Sequence, residues 1–133
     1  MKRIYVVTVA VFLLLFCGMS VSEGGEKPKK AAQSAMSAYI DLKTTQGGGA
    51  YMIEEVKAEL DYLHKGVKKV NKMREGKKVG KLYVSCADFT AGDDRYDIDY
   101  YVDEEDGRYR VVKEVFHKKN GTKVNKVIWE ASD

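Results

Sequence analysis

The C-terminal half of the chain alternates apolar and polar residues, and this pattern limits the possible folds more than any other feature. Alternation with a period of two is typical of half-buried β-strands. Asp106-Gly107 and Asn120-Gly121 are preferred two-residue hairpin turns, and residues 91–94 offer a third turn. We therefore expect a four-stranded antiparallel meander. Its strands cover residues 81–89, 95–103, 108–118 and 122–131.

The part of the chain before this meander has helical periodicity. Residues 50–76 carry apolar side chains three or four positions apart, which predicts a long amphipathic helix. A shorter helix is expected at 31–45, and the glycines at 47–49 should end it. The expected fold class is α+β, with an N-terminal helix or helix pair packed on the meander. The apolar face of the shorter helix would consist of Ala32, Ala35, Met36, Tyr39 and Leu42.

The first 22 residues have the pattern of a secretory signal peptide. Lys2 and Arg3 precede an uncharged apolar stretch, and small residues at 20–22 offer a cleavage site. The alternatives are a retained membrane anchor and lipidation at Cys17. We expect a periplasmic or secreted protein with no stable membrane insertion after cleavage. The expected organisation is a leader at 1–22, a polar tail at 23–30 and a single α+β domain at 31–133.

Charge and cysteine content narrow the classes of function. Loss of two basic residues with the leader leaves 21 basic residues against 20 acidic ones, so no nucleic-acid partner is expected. Cys86 would then be the single cysteine, which excludes a disulfide within the mature chain. We interpret it as a buried thiol, with pairing to another chain as the alternative.

The sequence contains no recognisable motif for catalysis or metal binding. The acidic stretch 92–107 lacks the ligand spacing of a calcium-binding loop. Cys86, His64 and His117 lie far apart along the chain, in none of the spacings typical of zinc sites or haem attachment. We therefore predict no catalytic residues, no metal site, no cofactor and no enzymatic activity.

The expected register sorts the meander into an apolar face, which would seat the long helix, and a mixed face. The mixed face combines large apolar groups with charges, which is the composition of a protein-binding surface. A covering first helix, or a slip of one residue, is the alternative. The expected pairs are Val102 with Val111, Ile98 with Val115 and Val112 with Trp129. The predicted partner-binding residues are Asp97, Asp99, Tyr101, Arg110, Val112, Phe116 and Trp129.

The layout of helix and wrapped meander over residues 31–131 resembles the cystatin-like and NTF2-like α+β rolls. The chain lacks the Gln-Val-x-Val-x-Gly loop of cystatin inhibitors. Its leader, its size and its lack of a haem-attachment motif are similar to those of small exported assembly factors associated with hydrazine dehydrogenase, a multihaem enzyme.

The second resemblance implies an accessory function. We expect an exported, non-enzymatic accessory or assembly protein that binds a larger periplasmic complex, of which a multihaem redox complex is one case. Self-association is an alternative mode of binding. The alternative function is a small-ligand-binding NTF2-like domain, with enzymatic activity as one version of it. Its pocket would be lined by Tyr39, Tyr96 and Tyr100 beside a buried carboxylate.

Overall fold

The computed structural model describes residues 26–132, which form one helix and a seven-stranded antiparallel sheet curved into a half-barrel. Strands make up about 62% of the structure. The sheet order is β1-β2-β4-β5-β6-β7, and β3 pairs with the same edge of β4 as β2 does. The elements are α1 (Glu26–Gln46), β1 (Tyr51–Ile53), β2 (Val56–Leu63), β3 (Lys68–Arg74), β4 (Lys77–Ala91), β5 (Asp94–Glu105), β6 (Arg108–Lys119) and β7 (Thr122–Glu130).

The expected helix or helix pair on a four-stranded meander is wrong, because residues 50–76 form strands instead of a helix. The backbone turns at Glu54 and again at Glu75-Gly76, all three with positive φ, and the second turn closes the β3–β4 hairpin. The apolar spacing also does not follow a buried stripe, since Leu60 is largely exposed. Pairing with β4 outweighs the local helical pattern over this segment.

The single helix lies close to the expected place. It begins at Glu26, so residues 26–30 of the expected polar tail at 23–30 are helical. Its buried residues are Ala32, Met36 and Ile40, whereas Leu42, expected on the apolar face, is 56% exposed. The helix ends at the glycines as predicted, with positive φ at 48 and 49. No described helix has the length and apolar character needed to cross a bilayer.

The helix packs on one face of the sheet, which we call the helix-facing face. On β5 this face carries Tyr96, Ile98, Tyr100 and Val102, all buried, and α1 contacts β1, β4, β5 and β6. We call the opposite side the outer face. It carries the alternate residues of β5, namely Asp97, Asp99, Tyr101 and Asp103.

The hairpin turns are confirmed, but the register along β6 differs from the expected one. Val102 pairs with Val111 as predicted. Val112 and His117 are then extra residues on β6, so Ile98 pairs with Phe116 and not with Val115. Irregular pairing of β6 with β7 likewise sets Trp129 opposite Glu114 and not Val112. Each one-residue shift exchanges the faces of the residues beyond it.

Candidate functional site

The outer face carries five of the seven residues predicted to bind a partner. Three of them, Tyr101, Arg110 and Val112, line one groove of about 400 Å³ between β3, the middle of the sheet and the C-terminal residues. The other two, Asp97 and Asp99, lie further along β5 on the same side. The outer face therefore carries five of the seven expected residues, three of them around one groove.

Phe116 and Trp129 are not part of that face, so their predicted placement is wrong. Phe116 is only 6% exposed, and its ring packs against Tyr96 at 5.5 Å between centroids. Trp129 is 40% exposed but lies on the helix side, with its ring 6.0 Å from that of Tyr39. Both displacements follow from the irregular pairing along β6.

A basic arm borders the groove. We use this name for residues 68–81, which contain seven basic residues and one acid, a net charge of +6. Residues 77–81 of β4 pair with β3 alone, so the arm extends beyond the last β4–β5 pair, Leu82 with Asp103. Lys72 donates to Asp103 Oδ2 at 2.7 Å and ties the arm to the sheet. Met73 and Val79 expose apolar side chains on the arm.

Four chemically reactive side chains meet on the outer face, on three neighbouring strands. Donor atoms of Cys86 on β4 and of Asp97 and Asp99 on β5 all lie within 4.8 Å of one another. His117 Nδ1 on β6 lies 3.5 Å from Asp97 Oδ2 and 3.5 Å from Asp99 Oδ2. Cys86 pairs directly with Asp99 across the strands, and the bulge at His117 sets its ring on the side of the carboxylates. We call these four residues the Cys–Asp–His cluster.

The electrostatic environment of the cluster disfavours the charged forms of its acidic groups. Burial, with added repulsion from Asp97 and Asp99, raises the pKa of the Cys86 thiol to about 12. Burial also raises the pKa of Asp99, while His117 opposes this increase. Asp97 Oδ1 is shielded from solvent and makes no well-aligned hydrogen bond, although an interaction between the Cys86 thiol and Asp97 contributes to the raised pKa of the thiol. A shielded carboxylate oxygen without a donor is costly, and such groups are rare in folded proteins.

A second histidine–carboxylate pair lies near the cluster and differs from it. His64 Nε2 is 3.0 Å from Asp88 Oδ2, a normal hydrogen-bond distance, and Arg95 lies 3.7 Å from the same oxygen. His64 is more exposed than His117, with 41% of its side-chain surface accessible against 30%. His64 and Asp88 thus satisfy each other by a direct hydrogen bond near the surface.

The buried carboxylate that the ligand-binding alternative requires is Glu114, on the helix-facing face. It is 1% exposed and accepts a hydrogen bond from the Tyr39 hydroxyl at 2.9 Å. Tyr100, which packs edge-on against Tyr39, donates its own hydroxyl to Tyr51 at 2.9 Å. Burial raises the pKa of Glu114, and the Tyr39 hydrogen bond partly offsets this. The polar groups here are paired with one another inside a packed core.

Cys86 and His117 are far apart along the chain, so the sequence does not predict that they share a site. Only the strand registers bring them to the same two carboxylates. Their one sequence signal is the i, i+2 pair Asp97 and Asp99, which alternation sets on one face. The predictions about the leader and Cys17 concern residues outside the described part of the chain.

Comparisons with protein-family models, with curated proteins and with solved structures found no match for this chain.

Proposed function

We propose that this chain is a non-enzymatic accessory protein that docks onto an acidic surface of a larger exported protein or complex. The observation that carries the proposal is the basic arm standing beside an open groove that contains Tyr101 and Arg110. The exported location rests on the leader-like residues 1–22.

The charge of the arm supports an acidic partner. Its lysines at 77 and 78 are exposed beside the turn at Glu75-Gly76, at the far end of the hairpin. Complementary charges across an interface speed association and select the partner. Two acids, Glu104 and Glu105, line a neighbouring cavity together with part of the arm. The lysines at 77 and 78, at the tip of the arm, do not line this cavity.

The groove supports a protein and not a membrane as the partner. Its lining combines Tyr101, Arg110, Val112 and the exposed Met73. Tyrosine, arginine and methionine are the residue types enriched at protein interfaces. A concave groove accepts a protruding side chain, whereas a bilayer surface presents none.

The decisive experiment is capture of a partner from a native periplasmic extract, followed by mass spectrometry. The double variant Lys77→Glu/Lys78→Glu reverses two exposed charges on the arm. Lys57→Glu/Lys123→Glu makes the same charge change on exposed positions of β2 and β7. We expect a partner that the wild-type chain and the control variant capture, that the arm variant loses, and that high salt releases.

Two outcomes would contradict the proposal. One is equal capture by the arm variant and the control variant, which would place the interface elsewhere. The other is binding of the purified chain to anionic vesicles that depends on the arm while no protein is captured. Concentration-dependent sedimentation of the purified chain separates self-association from both.

A small-ligand-binding domain is the second candidate, and the buried Glu114 is the observation that favours it. A ligand would have to displace the Tyr39 hydroxyl from this carboxylate. Trp129 lies beside Tyr39, so its fluorescence would report such binding in a screen of small polar molecules. A screen without any saturable fluorescence change would count against this candidate.

A further inference from the structure

We propose that Cys86, Asp97, Asp99 and His117 form a binding site for one divalent transition-metal ion of the zinc type. This inference does not depend on the proposed docking function, since the cluster lies apart from the residues that line the groove and from the basic arm.

The distances in the cluster match metal ligation better than direct hydrogen bonding. His117 Nδ1 lies 3.5 Å from one oxygen of each aspartate. A charge-assisted hydrogen bond between such groups is shorter, about 2.7–2.9 Å. Two nitrogen and oxygen ligands of a tetrahedral zinc ion lie roughly 3.3 Å apart, because each bond is about 2.0–2.1 Å long. His117 is thus equally distant from both carboxylates, and each distance is close to that between two neighbouring ligands of one ion.

The thiol adds a third donor beside the two carboxylates, while His117 lies outside this group and contacts the aspartates alone. The donor atoms of Cys86, Asp97 and Asp99 lie within 4.8 Å of one another. Sulfur and oxygen ligands of a tetrahedral zinc ion lie roughly 3.6 Å apart, given a zinc–sulfur bond of about 2.3 Å. The thiol and the carboxylates therefore need to approach by at most about 1.2 Å, which is within the reach of side-chain movement.

The types of donor select the class of metal. Thiolate and imidazole favour zinc, cobalt and related ions, whereas calcium and magnesium prefer oxygen ligands alone. With the His117 ring turned toward the ion, four donors from three paired strands would make a closed, structural type of site.

The unsatisfied groups of the cluster provide an independent reason for a cation. Asp97 Oδ1 is shielded from solvent and makes no well-aligned hydrogen bond, so its interaction with the Cys86 thiol leaves it incompletely satisfied. His117 lies 3.5 Å from both carboxylates and carries a charge only when protonated, and Lys118 adds a weaker favourable charge at Asp99. A bound divalent ion would offset the repulsion between the two carboxylates and would occupy their lone pairs. The nearby His64–Asp88 pair, at 3.0 Å, shows the contrasting geometry of a direct hydrogen bond.

The test is a titration of the purified chain with Co²⁺, followed by competition with Zn²⁺, in the presence of a non-coordinating reductant. Co²⁺ reports a thiolate ligand by a sulfur-to-metal charge-transfer band and tetrahedral geometry by intense visible bands. We expect one Co²⁺ per chain with both signals, displacement by one Zn²⁺, and a higher melting temperature with Zn²⁺.

Variants locate the site. Cys86→Ser should remove the charge-transfer band, and Asp99→Asn and His117→Gln should each weaken Zn²⁺ binding by more than about 10-fold, the smallest loss typical for an outer-shell partner. His64→Gln is the matched control, because it removes the histidine of the neighbouring pair, and it should bind as wild type does. Circular dichroism of each metal-free variant confirms folding, so a loss of binding reports on the site itself.

Three results would overturn the proposal. The first is no saturable binding of Co²⁺ or Zn²⁺ to the folded chain. The second is a cobalt spectrum without a thiolate band. The third is equal weakening in His64→Gln and His117→Gln, which would indicate adventitious binding to surface histidines and carboxylates.

Discussion

Shielded polar groups are hydrogen-bonded on one face of the sheet and incompletely satisfied on the other. On the helix-facing face, Glu114 is almost fully buried, yet Tyr39 donates a hydrogen bond to it. On the outer face, Asp97 keeps one shielded oxygen without a well-aligned hydrogen bond, beside Cys86 and Asp99. A satisfied buried group is a part of the packed core, whereas an unsatisfied cluster marks a place where something from outside can bind. Buried groups that stabilise the fold therefore lie on the helix-facing face, and both proposed binding sites lie on the outer face.

The largest expected effect tests which residues belong to which face. Phe116→Ala should lower the free energy of unfolding by about 3–5 kcal/mol, because it leaves a cavity beside Tyr96 and Ile98. Its neighbour Val115 lies on the outer face, opposite Asp99, so Val115→Ala should cost about 1 kcal/mol or less. Urea unfolding of both variants measures the contrast. Equal or reversed costs would mean that β6 has no extra residue at Val112.

The placement of Phe116 also shows how far the sequence could predict the sheet. Turn chemistry was enough to predict both hairpins, since Asp106 and Asn120 adopt the positive φ that these turns need. The bulges were not predicted, because they depend on how β6 twists between two neighbours. The sequence signals the bulge only at the adjacent pair Val111-Val112, which interrupts the alternation of apolar and polar residues. Without the bulges, Phe116 and Trp129 are assigned to the wrong face.

The segment 50–76 was mistaken for a helix for a related reason. Its apolar residues recur at helical spacing, but β1, β2 and β3 are held by cross-strand pairing, much of it with residues of β4 distant in sequence. A single-sequence pattern cannot weigh such long-range partners against local spacing. The Cys–Asp–His cluster was missed for the same reason, because three strand registers together define it.

Removal of the hydrogen bond to Glu114 should have the next largest effect. Tyr39→Phe leaves a buried carboxylate without its donor, which should cost about 1–3 kcal/mol of unfolding free energy. Tyr62→Phe is the matched control, because the Tyr62 ring is largely exposed, and it should change stability by less than about 0.5 kcal/mol. Thermal and urea unfolding give both values. Indistinguishable variants would show that Glu114 is satisfied in another way.

The same carboxylate predicts how stability depends on pH. Burial raises the pKa of Glu114 above its usual value of 4.5, so the folded chain holds this proton more tightly than the unfolded chain does. This contribution to stability is present in full below pH 4.5 and decreases as the pH rises from there through the raised pKa. Glu114→Gln should therefore remove this decrease, and the difference in stability between variant and wild type should grow with pH. A difference that stays constant from pH 4 to pH 8, measured by urea unfolding, would contradict it.

Substitutions of exposed residues on the basic arm should have the smallest effect on the free energy of unfolding. They should have the largest effect on partner binding. Met73 is 54% exposed on the basic arm, so Met73→Ser should change the free energy of unfolding by less than about 0.5 kcal/mol. If the arm and groove form the interface, the same substitution should weaken binding of the captured partner by about 1 kcal/mol or more. Isothermal titration with that partner measures the loss, and Val124→Ser provides an exposed apolar control on β7. Equal losses for the two variants would mean that the arm contributes nothing specific, since both remove an exposed apolar side chain from an otherwise stable sheet.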